Sequence, residues 1–301
     1  MESPEVSIFT TDNKKKLNSY MRRYIMTILD GKILRDKILD NVKDKIKNNN
    51  LDIKLAIILV GNNEASKIYV NNKERACIYT GIKCDKNLLD SNTTEDELLD
   101  LIDKLNNDNE VTGIILQSPV PNHIDFDKCA GTIKYYKDVD GFTRDNIYNL
   151  YMNKDGLVPC TVKGIIRLLD EYKIEIEGKH AVIVGRGLIV GKPLSTALLN
   201  RNATVSICHS KTKNLVDICR SADILISAVG KPNSITKEMV KDGAVVIDVG
   251  ISREDNKVVG DTNFEEIKDK CLYITPVPGG VGPMTVAMIM ENLLIAKEMK
   301  K

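Results

Sequence analysis

The strongest constraint on the fold is a repeated change of hydrophobic period, in which short apolar runs alternate with segments of helical spacing. From Asp30, ILRDKILDNVKDKIKN puts Ile33, Ile38, Val42 and Ile46 at spacing compatible with a buried helical face. KLAIILV at 54–60 reads as a strand and ASKIYVNNKERACIYTGI as the helix after it. A short strand near 81–88, an acidic helix over 94–107 and a strand over VTGIILQ at 111–117 continue the series, which residues 118–121 terminate. Mostly apolar strands separated by helices predict a parallel sheet covered on both faces, hence an α/β fold.

A second series follows a connecting helix over 162–172. HAVIVG at 180–185, ATVSICH at 203–209, ADILISAVG at 222–230, AVVIDVG at 244–250 and LYITPVP at 272–278 are five strand-like segments, with helical stretches between the first three. They suffice for a separate dinucleotide-type sheet. A last helix from about 283 to 299 carries Val286, Ile289, Met290, Leu293 and Leu294 in an apolar stripe whose partner periodicity does not identify. The 301 residues fit two domains of roughly 150 each. No internal repeat of fixed period interrupts this reading, and low complexity is limited to Asn48–Asn50.

Composition narrows the partners. Lys and Arg (43) nearly balance Asp and Glu (42), and a net charge of +1 gives no global field to attract nucleic acid or an acidic membrane. The seven cysteines are scattered singly and read as reduced thiols. The three histidines stand outside any C-x-x-C or H-E-x-x-H setting, so no metal is expected. No apolar run reaches the about 18 residues of a membrane span, and no signal-peptide core follows Met1. The expectation is a cytoplasmic protein. Residues 1–25 are polar and basic and read as a flexible extension, or as sequence upstream of a second start at Met21. Their arginines and hydroxyls would suit a mitochondrial targeting segment, whereas Glu2, Glu5 and Asp12 oppose one.

Three segments carry chemistry. In HAVIVGRGLIVGKPLSTALL a strand, a glycine turn and a helix follow one another, so Gly185, Gly187 and Gly191 permit close approach of a phosphate to the N-H groups at a helix start. The next strand ends in CHSKTK, where Ser210, Lys211, Thr212 and Lys213 stand in place of the acid that holds an NAD ribose. With Arg186 nearby, this favours NADP over NAD, although an exposed basic turn would look the same. Second, Ser66, Tyr69 and Lys73 fall on one helical face just beyond a buried strand, and Gln117 ends another strand where it can hydrogen-bond the Lys73 amine. A solvated lysine beside a half-buried tyrosine would share that spacing. Asp140 in KDVDGF is a further acid, while Asp138 and Asp140 could both be turn formers before Gly141. Third, ITPVPGGVGPMT crowds proline and glycine into a rigid loop able to press its backbone against a flat ligand, or simply to separate strand from helix.

Together ASKIYVNNK, ILQSPVP, KDVDGF, GRGLIVGKP, CHSKT, VVIDVGI and TPVPGGVGPMT resemble the bifunctional methylenetetrahydrofolate dehydrogenase and methenyltetrahydrofolate cyclohydrolase family, in order from Asp30 to Met299. The resemblance implies an N-terminal α/β folate-binding catalytic domain over 26–162 with 280–301, the C-terminal helix returning to it. A Rossmann-like NAD(P)-binding domain occupies 163–279. It implies a homodimer that oxidises 5,10-methylenetetrahydrofolate with NADP, NAD remaining possible, and hydrolyses the product to 10-formyltetrahydrofolate. Tyr69, Lys73, Gln117 and Asp140 inherit catalytic roles in the folate cleft. Leu116, Ser118, Pro278, Gly279 and Gly280 inherit substrate contacts; Gly185, Arg186, Gly187, Ser210 and Ile251 inherit cofactor contacts. Two positions depart from the family: Gly187 replaces a common serine, which removes a hydroxyl that could bind cofactor, and Val162 replaces a common proline, which loosens the hinge. A fully charged Lys73 would repel the methenyl cation and could not act as a base, so a depressed pKa is expected of it. A dehydrogenase without hydrolysis and a non-catalytic dinucleotide-binding regulator are the alternatives. Formate ligation would need a large further domain, and no G-x-x-x-x-G-K-[ST] loop is present.

Overall fold

The computed structural model describes residues 26–255 and 257–300. The readings of residues 1–25 as an extension or targeting segment lie outside these. Two parallel sheets organise the chain. The smaller has three strands, β2 (Lys54–Val60), β3 (Lys83–Leu89) and β4 (Gly113–Leu116), in the order β3-β2-β4. Six of the seven β2 residues are buried, as a central strand covered by helices on both faces requires.

The larger sheet takes β5 (His180–Val184), β6 (Thr204–Cys208), β7 (Ile224–Ser227), β8 (Ala244–Asp248) and β11 (Cys271–Ile274), all parallel. A sixth strand completes it: β1 (Thr27–Ile28) pairs with β11, in the order β1-β11-β8-β7-β5-β6. Five segments were legible in the sequence; a two-residue edge strand is too short to show a period. β9 (Ser252–Glu254) and β10 (Lys257–Val259) form a separate antiparallel hairpin just after β8.

Several boundaries move. The LYITPVP strand stops at Ile274, VTGIILQ is a strand only over Gly113–Leu116, the connecting helix runs Cys160–Glu171, and the last helix starts at Val281. Ile33 is not a core residue of the Gly31–Asn48 helix; it is 68% exposed. Five residues of α-helix advance about 500°, so Ile33 stands roughly 140° away from Ile38. The buried stripe instead runs through Leu34, Ile38, Leu39, Val42 and Ile46. Asp30 starts this helix, its carboxylate accepting from the N-H groups of Lys32 and Ile33 at 2.8 and 3.0 Å.

The Val281–Met299 helix packs chiefly against the Cys160–Glu171 and Gly31–Asn48 helices, which supplies the partner that its apolar stripe left unnamed. Through the Gly31–Asn48 helix it lies against the first domain although it follows the second in sequence. No helix among the described residues is long and apolar enough to cross a membrane.

Candidate active site

The Glu64–Thr80 helix begins at Asn63, whose side chain accepts from the Ser66 N-H at 3.0 Å. Its inward face buries Ser66, Val70 and Lys73, so the lysine amine leaves solvent while its charge requirement stays. Lys73 is only 5% exposed and donates to Gln117 Oε1 at 2.8 Å. Gln117 has no rotational choice in this. Its backbone N-H is held by the Ile58 carbonyl at 2.8 Å, and its Nε2 donates to the Ser118 carbonyl at 2.8 Å, leaving Oε1 for the amine. Ser66 Oγ donates to the same Ser118 carbonyl at 3.3 Å.

The Lys137–Gly141 turn settles which aspartate shapes the chain. Asp138 accepts from the N-H groups of Gly141 and Thr143 at 2.9 and 2.6 Å and from Asn146 Nδ2 at 3.0 Å. It is the turn former. Asp140 makes no such bonds and contributes its side to the cleft wall with Lys73. Burial pushes the Lys73 amine below the usual lysine range, opposed mainly by the Asp140 carboxylate; burial likewise raises the Asp140 carboxyl, opposed by the Lys73 charge.

Asp140 is held from behind. Asn292, wholly buried on the last helix, donates to the carbonyls of Val139 and Val158 at 2.9 and 3.0 Å and accepts from Lys163 Nζ at 2.9 Å. The sequence reading missed this pair. An asparagine between Met290 and Leu293 in an apolar stripe was the available signal, since a buried amide must find partners.

Tyr69, Lys73, Leu116, Gln117, Ser118 and Asp140 line one cleft of about 850 Å³ between the two sheets. The second domain closes it with Leu188, Ile189, Val190, Lys192 and Ile251. Tyr69 is 38% exposed at the rim. Pro278, Gly279 and Gly280 line an adjoining cavity instead, one that shares Tyr69 and Ile251 with the cleft.

Four of the five residues expected to contact a cofactor, Gly185, Arg186, Gly187 and Ser210, follow the C-terminal ends of β5 and β6, where parallel sheets receive nucleotides. Gly185 has φ +128°, and a Cβ there would stand 2.4 Å from the Ala228 carbonyl oxygen, so only glycine fits. Around Gly187 nothing lies within 4 Å of a Cβ position, which leaves the backbone open to a phosphate at the start of the Gly191–Leu199 helix. Arg186, Ser210, Lys211 and Lys213 are exposed beside this turn, with no acid among residues 209–213. The donor set thus fits a dinucleotide carrying an additional phosphate. Ile251 lies away from these residues, at the cleft, after β8.

Two family models match the chain: the tetrahydrofolate dehydrogenase/cyclohydrolase catalytic domain over residues 29–140, and the NAD(P)-binding domain of the same enzymes over 159–301. The bifunctional protein FolD of Campylobacter hominis is 52% identical over 273 residues, 89% of this chain and 96% of that protein. The crystal structure of FolD from Campylobacter jejuni superposes with a TM-score of 0.90 at 48% identity, covering 92% of this chain and all of the other. The Trypanosoma brucei FolD complexed with NADP cofactor and inhibitor gives 0.87 at 33% identity, covering 91% of this chain and 98% of that one.

Proposed function

The chain belongs to the tetrahydrofolate dehydrogenase/cyclohydrolase family, and we propose that the cleft between its sheets is where both reactions occur. The protein is an NADP-dependent methylenetetrahydrofolate dehydrogenase and methenyltetrahydrofolate cyclohydrolase. It oxidises 5,10-methylenetetrahydrofolate and hydrolyses the methenyl product to 10-formyltetrahydrofolate. The observation that carries the site assignment is the Lys73 amine, nearly excluded from solvent and bound to Gln117 at the cleft wall.

NADP supplies the hydride acceptor for the first reaction; Gly185, Arg186, Gly187, Ser210 and Lys211 would hold it. Ile251 would border the redox end, because it alone of the proposed cofactor residues lines the cleft. The rest falls to the folate residues. Tyr69 borders the ring system at the rim, Leu116, Ser118 and the 278–280 loop bound it, and Asp140 accepts hydrogen bonds from the pterin amino and ring N-H groups.

Hydrolysis needs a base that tolerates a cationic substrate. A buried amine can be neutral near working pH, and Gln117 fixes it by taking one of its hydrogens. As water adds its oxygen to the methenyl carbon, Lys73 Nζ takes the released proton. The carbon to N5 bond then breaks, N5 recovers a proton, and the formyl group remains on N10.

We also assign residues 26–162 with 280–301 to the folate domain and 163–279 to the NADP domain, with a cytoplasmic homodimer as the working form. Seven cysteines free of disulfides accord with a reducing compartment. Light scattering of the purified protein tests the dimer. Absorbance of the enzyme with methylenetetrahydrofolate and NADP or NAD tests the chemistry: reduced cofactor should appear with NADP without lasting methenyl absorbance. Methenyl product that persists would leave only the dehydrogenase.

A further inference from the structure

Two carboxylates with no part in the folate chemistry lie buried together in the second domain. Asp248 ends β8 and is 1% exposed; Asp261 follows the β9–β10 hairpin and is wholly buried. Neither has an ion-pair partner among the described residues. Burial pushes the Asp248 carboxyl above the usual carboxylate range, against the bonds it accepts from Asp261 and Thr262. Burying two such acids is costly, and only a dense set of donors offsets it.

Those donors belong chiefly to the loops that follow β7 and β8. Asp261 Oδ2 accepts from the Ser227 hydroxyl at 2.8 Å and the Val229 N-H at 2.7 Å, and Oδ1 from the Lys231 N-H at 2.8 Å. Asp248 Oδ1 accepts from the Gly250 and Asp261 N-H groups, both at 3.0 Å. Its Oδ2 takes the Thr262 N-H and hydroxyl at 2.8 and 2.7 Å. Each acid also rests on a glycine of the other's segment: a Cβ on Gly250 would fall 2.1 Å from Asp261 Oδ1, and one on Gly260 2.2 Å from Asp248 Oδ2. The 227–231 loop, Asp261, Asp248 and the 249–251 loop thus form one continuous set of contacts.

Its two ends reach different parts of the cofactor site. The Ala228 carbonyl lies against Gly185, where a Cβ would stand 2.4 Å from its oxygen, so the first loop backs the glycine turn. The second loop carries Ile251, which lines the cleft. We propose that Asp248 and Asp261 are positioning residues for hydride transfer. By fixing the 249–251 loop against the 227–231 loop, they set where the nicotinamide stands once the diphosphate is held at the glycine turn. Carboxylates suit this role because both oxygens only accept; an amide of the same shape would turn its NH2 against N-H donors.

The proposal rests on the dehydrogenase reading of the protein, and the experiment separates the two. Single-turnover oxidation of methylenetetrahydrofolate by excess enzyme saturated with NADP is followed through the absorbance of reduced cofactor. Native enzyme, Asp261→Asn and Ser227→Ala are compared, with hydrogen or deuterium on the bridging methylene. The rate should fall by about tenfold or more in Asp261→Asn, because misplaced reacting atoms lose orientation. It should fall by about threefold in Ser227→Ala, which deletes one donor and keeps the carboxylate. The slowed step should show an isotope effect at least as large as the native one. The NADP KM should stay within about twofold of native. Hydrolysis of supplied methenyltetrahydrofolate should also stay native, since Lys73 and Gln117 share none of these bonds, and this reports that the variants are folded. Native oxidation rates, or oxidation and hydrolysis lost in equal measure, would overturn the positioning role. A raised NADP KM at a native rate would overturn it too, by assigning the acids to binding instead. Should Asp261→Asn not fold, Ser227→Ala decides by the same criteria. A native enzyme that reduces no NADP would overturn the dehydrogenase reading itself.

Discussion

Lys73 Nζ stands 2.8 Å from Gln117 Oε1, joining a helix of the first domain to the end of β4 across the cleft floor. Because Gln117 Nε2 is occupied by the Ser118 carbonyl, the amide can only accept from the lysine. Lys73→Met keeps an unbranched stem as far as Cε and removes the proton acceptor. Cyclohydrolase activity should fall by about a hundredfold or more, the usual span of general base catalysis, while folate binding persists. Methenyl hydrolysis at the native rate in this variant would remove the lysine from the mechanism.

The pH dependence follows from the direction of the Lys73 shift. Burial lowers the pKa from 10.5, so hydrolysis should rise with pH and level off below the range in which a solvated lysine titrates. The stability sign is the same. Between the folded value and 10.5 the unfolded chain holds the proton that the folded chain has lost, so unfolding free energy from this group increases with pH there. Asp140 acts oppositely: its carboxyl is raised from 3.8, the folded chain binds the extra proton, and this contribution falls as pH rises through that window. A hydrolysis rate flat across the neutral and alkaline range would contradict a titrating amine.

Asp140→Ala should raise the folate KM by about tenfold or more, since a charge-assisted hydrogen bond contributes roughly 1.5–3 kcal/mol. Asn292→Ala should resemble it in weaker form, because Asn292 holds the Val139 and Val158 carbonyls and acts through the position of Asp140. The NADP KM should stay native in both. A thermal shift in Asn292→Ala without any change in folate KM would restrict that residue to helix docking.

How much of this was legible depends on the length and polarity of each element. The β2 run and the β5 glycine turn declared themselves, as six consecutive buried apolar residues and a strand-turn-helix succession have few other readings. The Lys73 face was also legible, since Ser66 and Lys73 lie buried as helical spacing places them. β1 was not, because its two residues join the sheet only through pairing with β11, a contact across the whole chain. Asp138 and Asp140 could not be separated by spacing either; their hydrogen-bond partners, three for one and none of that kind for the other, come from residues folded around them. Asp248 and Asp261 escaped for a similar reason: their donors come from separate loops and meet only in space.

Cofactor choice offers the last test, at the turn after β6. His209 N-H donates to Thr212 Oγ1 at 2.9 Å and Lys211 N-H to His209 Nδ1 at 3.2 Å, so the short turn is internally braced and presents Ser210, Lys211 and Lys213 outward. A 2'-phosphate there meets a hydroxyl and cations; a bare ribose meets no acid. Ser210→Asp should therefore raise the NADP KM by about tenfold and lower the NAD KM, reversing part of the preference through one added charge. The hydrolysis of supplied methenyltetrahydrofolate should be unaffected, because Ser210 does not line the cleft. If NADP and NAD kinetics both stay native, the 2'-phosphate is held elsewhere, and Arg186→Ala is then the variant that should lose NADP selectively.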